Sequence, residues 1–526
     1  MSRIMKPLDE GNELLKKIDA KLEQEQKEVG GCVPLLNGSV SHPPQAMISE
    51  ADIYKSATSQ QDGDSWLFCQ IYRDQLCFDH AAVKWYEWKG HYWEEDKVDE
   101  ATRRLDAVID VYAAEAGKWS FKKFQASQSG NMRDAEEFEK KEKEFQKKIA
   151  SLQKRRWKED VLKLSVAGAN SLAITGEEWD KAPYLLPCKN GIIDLKTGTA
   201  RPGKQADYIK NVCPTEWKGL HEPSPTWERF LHEIFDSSEL VSFFQRLCGY
   251  ALSGSNIKNA MPILWGKGRN GKTTLFEVLR VVLGTLAGPI QSEMLVDQKH
   301  FRSSATPNPD VVALRGMRLI WASETDEGQK LNVEKAKLLS GSDTLRGREL
   351  YGRRPVDFEP THTLFLLTNH KPKINPNDYA IWKRVYLIPM LKSFVDDPVN
   401  ENERKQDPTL PEKLKTEASG ILAWLVRGFL EWQKTDLNPP AIVREATQEY
   451  REDEDIMGYF LRDCCIIDQF KQVSAADFYK AYTTWCSENG HRPITGTKFG
   501  RLMKERFEPI KTAICKLYRG VGLVER

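Results

Sequence analysis

The chain has no hydrophobic run long enough to cross a membrane and no closely spaced cysteine motif. No uninterrupted apolar stretch approaches the roughly 20 residues that span a bilayer, and the first six residues lack the apolar segment of a signal peptide. Ten cysteines are scattered along the sequence, and only Cys464 and Cys465 are adjacent, so neither a zinc ribbon nor a disulfide framework is indicated. We therefore expect a soluble, cytoplasmic protein with reduced thiols and no membrane partner.

An excess of charge of either sign is also lacking. The sequence has 77 Lys and Arg residues against 76 Asp and Glu residues, which gives a formal net charge of +1. Any contact with nucleic acid must therefore come from local basic patches rather than from the field of the whole protein. The length of 526 residues is sufficient for about three or four domains.

One sharp motif is present, a stretch that fits the phosphate-loop pattern G-x-x-x-x-G-K-[ST]. It lies between a strand-like run, Pro262–Trp265, and an apolar helix-like run, Thr274–Leu283. The residues predicted to bind nucleotide are Gly266, Lys267, Gly268, Arg269, Asn270, Gly271, Lys272, Thr273 and Thr274. Lys272 would reach the β- and γ-phosphates, and the Thr273 hydroxyl would ligate Mg²⁺. A glycine-rich turn that binds nothing is the alternative, but the flanking strand and helix favour ATP and Mg²⁺ as cofactors.

A second strand-like run, Met317–Ser323, ends in a group of carboxylates. ATP hydrolysis needs an acid beside the phosphate loop to orient water and to hold the metal through its shell. Glu324 is the first choice for the catalytic acid, and Asp326 and Glu327 follow it closely. Glu324 and Asp326 are also the candidates for the metal site with Thr273, and the sequence leaves open which carboxylate serves the metal and which serves water.

Two further polar residues adjoin strand-like runs. Asn369 follows Thr363–Thr368, and its uncharged amide suits a hydrogen bond to the γ-phosphate or to water. Arg384 precedes Val385–Pro389, where an arginine could neutralise charge in the transition state. Taken singly, the asparagine is also typical of a turn or cap, and an isolated arginine is more typical of a surface ion pair.

The order and spacing of these elements resemble superfamily 3 helicases of the AAA+ class, in particular the phage and plasmid primase-helicase family related to the poxvirus primase-helicase. The matching segments are 266–273, 322–328, 337–343 with Arg348, 367–372 and 381–384, together with 88–90, 190–195 and 249–254 ahead of the motor. The resemblance implies a homo-oligomeric ring, usually a hexamer, in which the phosphate loop and Glu324 of one subunit face Arg384 of the next. It also implies ATP-driven movement on DNA, from 3′ to 5′, in the replication of a phage, plasmid or other mobile element or virus.

Two other functions remain open at this stage. One is a translocase or packaging motor that moves duplex DNA without separating its strands, and the other is an origin-binding assembly factor controlled by ATP. Relatives often carry a primase domain, but the first sixty residues are too short for a polymerase-type fold. We therefore expect no primer synthesis, and a separate primase or replication initiator is a possible partner.

DNA contacts are expected at two places. In related helicases a hairpin between the acidic and asparagine motifs projects into the ring channel and grips single-stranded DNA. The candidates here are Arg353 and Arg354 at the turn, with Arg348 and Lys337 in support. Near the carboxyl terminus, Lys498, Arg501 and Lys504 share one face of a predicted helix that could meet a duplex groove. A solvated basic surface is the alternative at both places.

The fold class expected from these patterns is α/β, with an AAA+ core built on a parallel sheet. The predicted divisions are an N-terminal helix and linker (1–60), an α+β domain (61–225), the ATPase (226–395), a helical segment (396–450) and a winged-helix-like domain (451–526). Within the α+β domain we predict hairpins near residues 83–93 and 190–199 and one long amphipathic helix over 132–164.

Overall fold

The structure is a computed structural model, and it describes residues 48–295, 308–323, 331–348, 350, 354–511 and 515–524. The helices are α1 (Glu50–Thr58), α2 (Gln60–Tyr72), α3 (Glu100–Arg104), α4 (Asp106–Gln128), α5 (Met132–Leu152), α6 (Arg155–Ser165), α7 (Pro225–Phe235), α8 (Ser238–Leu252), α9 (Lys272–Leu283), α10 (Pro309–Val312), α11 (Val333–Ser340), α12 (Tyr379–Trp382), α13 (Leu410–Thr416), α14 (Ala418–Thr435), α15 (Ala441–Asp453), α16 (Ile456–Cys464), α17 (Ala475–Glu488) and α18 (Gly496–Arg506). The strands are β1 (Leu76–Asp79), β2 (Lys84–Trp88), β3 (Trp93–Glu95), β4 (Ala173–Ile174), β5 (Leu185–Cys188), β6 (Gly191–Asp194), β7 (Thr199–Arg201), β8 (Met261–Trp265), β9 (Ala287–Ile290), β10 (Leu319–Ser323), β11 (Leu345–Gly347), β12 (Val356–Phe358), β13 (Thr363–Thr368), β14 (Val385–Pro389), β15 (Ser393–Val395), β16 (Glu403–Lys405), β17 (Cys465–Ser474), β18 (Glu508–Lys511) and β19 (Lys516–Leu523).

A five-stranded parallel sheet forms the centre of the described structure. Its strand order is β14-β8-β13-β10-β9. All six residues of β13 are buried, as expected for a strand covered on both faces. The predicted mixed α/β fold with a parallel sheet is therefore confirmed, and the carboxyl ends of β8, β10, β13 and β14 meet at one edge.

Helices α8 and α14 pack closely against each other beside this sheet. A Cβ atom added to Gly249 of α8 would lie 2.1 Å from the backbone nitrogen of Phe429, and one on Gly428 would lie 2.2 Å from the carbonyl oxygen of Gln245. Because only glycine permits this approach, the two positions fix how the helices pack. One hydrophobic cluster runs from Leu186 to Val443 and includes residues on both sides of the predicted divisions at 225 and 395.

Aromatic side chains of the first predicted hairpin and of its surroundings form a packed core in the segment that precedes the phosphate loop. Strands β2 and β3 pair as an antiparallel hairpin, as do β6 and β7, in agreement with the sequence patterns. Trp93 and Trp179 are 3% and 2% exposed, and the rings of Tyr86 and Trp179 lie 4.7 Å apart. These buried rings stabilise the fold and are not available to stack on bases.

Two local predictions for this region were wrong. The predicted helix over 132–164 is divided into α5 and α6, with Gln153 capping the first and Lys154 in extended backbone. The last part of the predicted linker is helix α1, in which Ser49 accepts a hydrogen bond from the backbone of Asp52 and the buried Ile53 contributes to the core. The predicted N-terminal helix lies outside the described residues.

The described residues between 456 and 524 form three helices and a three-stranded antiparallel sheet of order β17-β19-β18. Ser474 caps α17, because its hydroxyl oxygen accepts a hydrogen bond of 3.0 Å from the backbone nitrogen of Asp477. Helix α18 begins after Thr495, and Phe499 and Met503 are its buried residues.

Long apolar helices and metal-binding clusters are not found in the described ranges. None of the helices there is long and apolar enough to cross a membrane. The nine cysteines that the structure describes are all free, and eight of them are buried. The same residues contain no group of three or more His, Cys, Asp or Glu side chains that could hold a metal ion.

Candidate nucleotide site

The phosphate loop joins the carboxyl end of β8 to the start of α9. Gly268 and Gly271 have φ angles of +96° and +82°, values that favour glycine. Gly271 is the N-cap of α9 and supplies no capping side chain. The first backbone N–H groups of α9 therefore face outward with the positive end of the helix dipole, an arrangement suited to a phosphate.

Lys272 lies between the loop and the neighbouring strand. Its Nζ donates hydrogen bonds of 2.8 Å to the carbonyl oxygen of Gly266 and 3.1 Å to Oδ1 of Asn369. Asn369 reaches this position because β13 pairs in parallel with β8, with Thr368 opposite Trp265. The side chain of Lys272 is 8% exposed, so the ammonium group is held in a fixed place. The lysine and the asparagine that the sequence singled out are thus in direct contact.

Contacts from outside the motif hold the rest of the loop. Asn270 is buried, and its Nδ2 lies 3.4 Å from the carbonyl oxygen of Met390, just after β14. The backbone nitrogen of Phe394 donates a 2.7 Å hydrogen bond to the carbonyl oxygen of Arg269. A Cβ on Gly271 would lie 3.0 Å from Cγ2 of Ile234, so α7 packs directly against the loop. The motif alone does not reveal this role of Asn270, because its partner just after β14 is more than a hundred residues away in the sequence.

The other loop residues have more open positions. Lys267, Arg269 and Thr273 are exposed, and Thr274 is partly buried in the first turn of α9. Of the three candidate Mg²⁺ ligands, Thr273 is the one that the structure describes. Its hydroxyl stands at the helix N-terminus, where the phosphates would bind. The expected carboxylates Glu324 and Asp326 lie outside the described residues, which end at Ser323 on β10 and resume at Leu331.

Arg384 lies at the amino end of β14, whereas the phosphate loop follows the carboxyl end of the neighbouring parallel strand β8. It precedes β14, which runs parallel to β8 from Val385 opposite Met261 to Pro389 opposite Trp265. At about 3.3 Å per residue, it is roughly 20 Å from Gly266 along the strand direction. Burial lowers the pKa of the Arg384 guanidinium, although an arginine remains charged. The structure does not bring Arg384 to the phosphate loop of its own chain.

Hydrogen bonds within the chain engage Arg384 instead. Its Nη1 donates to the carbonyl oxygen of Lys337, at 2.7 Å, and to Oγ of Ser340, at 3.1 Å. Lys337 itself forms an ion pair with Asp378, with an Nζ–Oδ2 distance of 2.9 Å, and this hydrogen bond raises the pKa of the lysine. Lys337 is thus held by a carboxylate beside the arginine.

The structure contains both strands of the hairpin that was predicted to bind DNA. β11 and β12 pair antiparallel, with Leu345 opposite Phe358. The first strand ends at Gly347. Arg348 is partly buried just beyond it, Arg354 is exposed, and Arg353 lies outside the described residues.

The basic residues of α18 lie on its solvent face. Lys498, Arg501 and Lys504 are exposed, whereas Phe499 and Met503 on the other face are buried. Arg501 and Lys504 line a cavity of about 570 Å³ that Lys516 of β19 and the start of α17 also border. The side chains therefore have the two-faced arrangement that the sequence predicted.

Comparison with known proteins gives matches along most of the chain. A family described as D5 N terminal like matches residues 66–236. A helicase-named protein of Acanthamoeba polyphaga mimivirus is 28% identical over 432 residues, which are 78% of this chain and 44% of that protein. An uncoating factor of Vaccinia virus (strain Western Reserve) is 22% identical over 257 residues, 46% of this chain and 32% of that protein.

Among solved structures, the apo structure of the NrS-1 C terminal region aligns with 87% of this chain and 99% of that chain, with 11% identity and a TM-score of 0.45. This chain spans less than half the length of the two viral proteins. The resemblance that the motifs indicated is confirmed by the matched domain and by the viral relatives: residues 66–236 are similar to the D5 N terminal like family, and the chain is similar to viral proteins that include one named as a helicase.

Proposed function

We propose that this chain is an ATP-driven DNA helicase motor that acts in the replication of a virus, phage, plasmid or other mobile element. Its relatives include proteins named as helicases in a giant virus and a virophage, which supports a helicase-like role in replication. ATP and Mg²⁺ are the proposed cofactors, and Lys272, Glu324, Asn369 and Arg384 are the proposed catalytic residues. Movement from 3′ to 5′ along one strand is part of the same proposal.

The observation that carries this proposal is the contact between Lys272 and Asn369. It joins the phosphate loop to the end of the neighbouring strand, with Nζ and Oδ1 3.1 Å apart. A γ-phosphate bound at the start of α9 would meet an ammonium group and an amide at once, and such fixed dipoles favour the charge that develops on phosphoryl transfer. A loop that only bound nucleotide would not need the asparagine.

The position of Arg384 supports action on a neighbouring subunit. An arginine about 20 Å from its own phosphate loop along the strand direction would complete the site of another copy in a head-to-tail ring. Any closed head-to-tail ring pairs each phosphate loop with one arginine, whatever the number of subunits. We propose a hexamer on the basis of the family resemblance.

The proposed domain organisation follows from the elements and the resemblance. An α+β domain over 61–225 precedes an AAA+ core over 226–395, a helical segment over 396–450 follows, and a winged-helix-like domain occupies 451–526. In this arrangement the β11–β12 hairpin would grip single-stranded DNA through Arg353 and Arg354, and Arg348 would assist. Lys337 contributes less, because Asp378 already neutralises its charge.

A direct test is ATP hydrolysis and strand separation by the purified wild-type protein. We expect single-stranded DNA to stimulate turnover and a forked duplex with a 3′ tail to be unwound. Displacement of a triplex strand without duplex unwinding would instead indicate a duplex translocase or packaging motor. Turnover that is indifferent to DNA, with ATP-dependent assembly on duplex, would indicate an origin-binding assembly factor.

A separate prediction concerns duplex binding by α18. Replacing Lys498, Arg501 and Lys504 together with alanine should weaken duplex affinity and reduce the slope of log K against log salt by about 3, since each phosphate contact contributes about one unit. ATP turnover without DNA should not change. The matched control replaces Lys140, Lys143 and Lys147, three exposed lysines of α5, with alanine. Equal losses in the two triple variants would assign the effect to overall charge and contradict the prediction.

A further inference from the structure

The segment that follows Asn369 is held by a helix outside the nucleotide motifs. Helix α15 lies against β14, and its last turns contact the chain between Lys371 and Pro376. Nζ of Lys371 lies 3.3 Å from Oδ2 of Asp453, and Nε of Arg451 donates a 3.2 Å hydrogen bond to the carbonyl oxygen of Pro376. The segment that begins at the asparagine is therefore fixed from one side by α15.

Tyr450 is the central residue of this contact. It is fully buried, and its hydroxyl donates a hydrogen bond to the carbonyl oxygen of Pro372. Burial raises the pKa of this hydroxyl, so it stays protonated and remains a donor at neutral pH. The accepting carbonyl is three residues beyond Asn369 in the sequence. A side chain on α15 thus restrains the backbone close to the amide that contacts Lys272.

Packing fixes the ring of Tyr450 in turn. The ring of Trp382 lies edge-on at 5.0 Å, and Nε1 of Trp382 donates a 2.9 Å hydrogen bond to the carbonyl oxygen of Asn375. Nζ of Lys371 lies 5.4 Å from the centre of the Tyr450 ring and 4.9 Å from that of Trp265, the residue before the phosphate loop. The tyrosine, the asparagine segment and the strand leading to the loop therefore form one contiguous set of contacts.

We propose that Tyr450 is a positioning residue for ATP hydrolysis, which acts by holding the segment after Asn369 so that the amide stays aligned with Lys272. The inference rests on the proposed function of the site. It assigns a role in the chemical step to a side chain that lies outside the recognised motifs and contacts them at Pro372 and Trp382. Nucleotide affinity comes mainly from the phosphate loop and α9, which Tyr450 does not contact, so the proposed role separates turnover from binding.

The test uses the full chain with Tyr450→Phe, which keeps the ring and removes the hydrogen bond. We expect kcat for ATP to fall about 3- to 10-fold, the range for one lost hydrogen bond. The Kd for ADP should stay within about twofold, because the loop is unchanged. The matched control is Tyr72→Phe, which removes a similar bond from a buried tyrosine to the carbonyl oxygen of Arg104, at 3.1 Å, far along the chain. It should leave kcat unchanged.

A double variant distinguishes positioning from a general loss of structure. If Tyr450 acts through Asn369, adding Tyr450→Phe to Asn369→Ala should lower kcat little further than Asn369→Ala alone. Additive losses, or a kcat for Tyr450→Phe within twofold of wild type, would overturn the inference while leaving the proposed function intact. Wild-type protein without ATP turnover would instead reject the proposed function and the positioning role together.

Discussion

Replacing Lys272 with alanine should lower ATP turnover by about 10- to 10⁴-fold, with or without DNA. The ammonium group is the buried cation of the loop, and it would exchange its present bonds to Gly266 and Asn369 for bonds to the β- and γ-phosphates. Loss of one or two charge-assisted hydrogen bonds, at about 1.5–3 kcal/mol each, corresponds to at least a tenfold and up to a 10⁴-fold change in rate. The measurement is steady-state phosphate release at saturating ATP.

A thermal-shift measurement separates this effect from unfolding. ATP with Mg²⁺ should raise the melting temperature of the wild-type protein, because a ligand that binds only the folded state stabilises it. Lys272→Ala should melt near the wild-type temperature without ATP and should gain little when ATP is added. The control is Lys189→Ala, which removes an exposed lysine paired with Glu216 and should keep full turnover. Turnover in Lys272→Ala close to that of the control would rule out the assigned role of the loop.

The strands that carry the candidate site were predictable because they are short apolar runs bounded by polar residues. The predicted runs over 363–368 and 385–389 coincide with β13 and β14, and the run over 262–265 differs from β8 by one residue. Parallel strands buried on both faces leave this uniform pattern in the sequence. The position of Asn369 beside the phosphate loop then follows from pairing between β8 and β13, although the sequence alone did not reveal the strand order.

Features set by contacts between distant segments were not predictable. The break between α5 and α6 was missed because the charged and apolar residues continue in nearly the same helical pattern across Gln153 and Lys154. Tyr450 was missed because α15 is a charged helix with few apolar residues, and its buried tyrosine looks like part of an ordinary packing face. Its partners at Pro372 and Trp382 come from another part of the chain, and no local pattern points to them.

Arg384→Ala should reduce ATP turnover by about 10³-fold or more if the arginine completes the site of a neighbouring subunit. The present bonds from Arg384 to the end of α11 show that the side chain also has a local role, so a loss of turnover alone would not assign the arginine to a neighbour. Mixing two inactive variants provides the necessary distinction. One variant is Arg384→Ala, and the other is Lys272→Ala.

In the mixture, an active interface needs Lys272 from one subunit and Arg384 from the next. A subunit with Arg384→Ala keeps its lysine, and a neighbour with Lys272→Ala keeps its arginine, so this pair restores a complete site. Random assembly of equal amounts makes about a quarter of the interfaces complete in a head-to-tail ring. Turnover of the mixture should therefore rise well above that of either variant and approach a quarter of the wild-type value at most. If Arg384 acted on the ATP of its own chain, every subunit would lack one essential group, and the mixture would be no more active than the mean of its components.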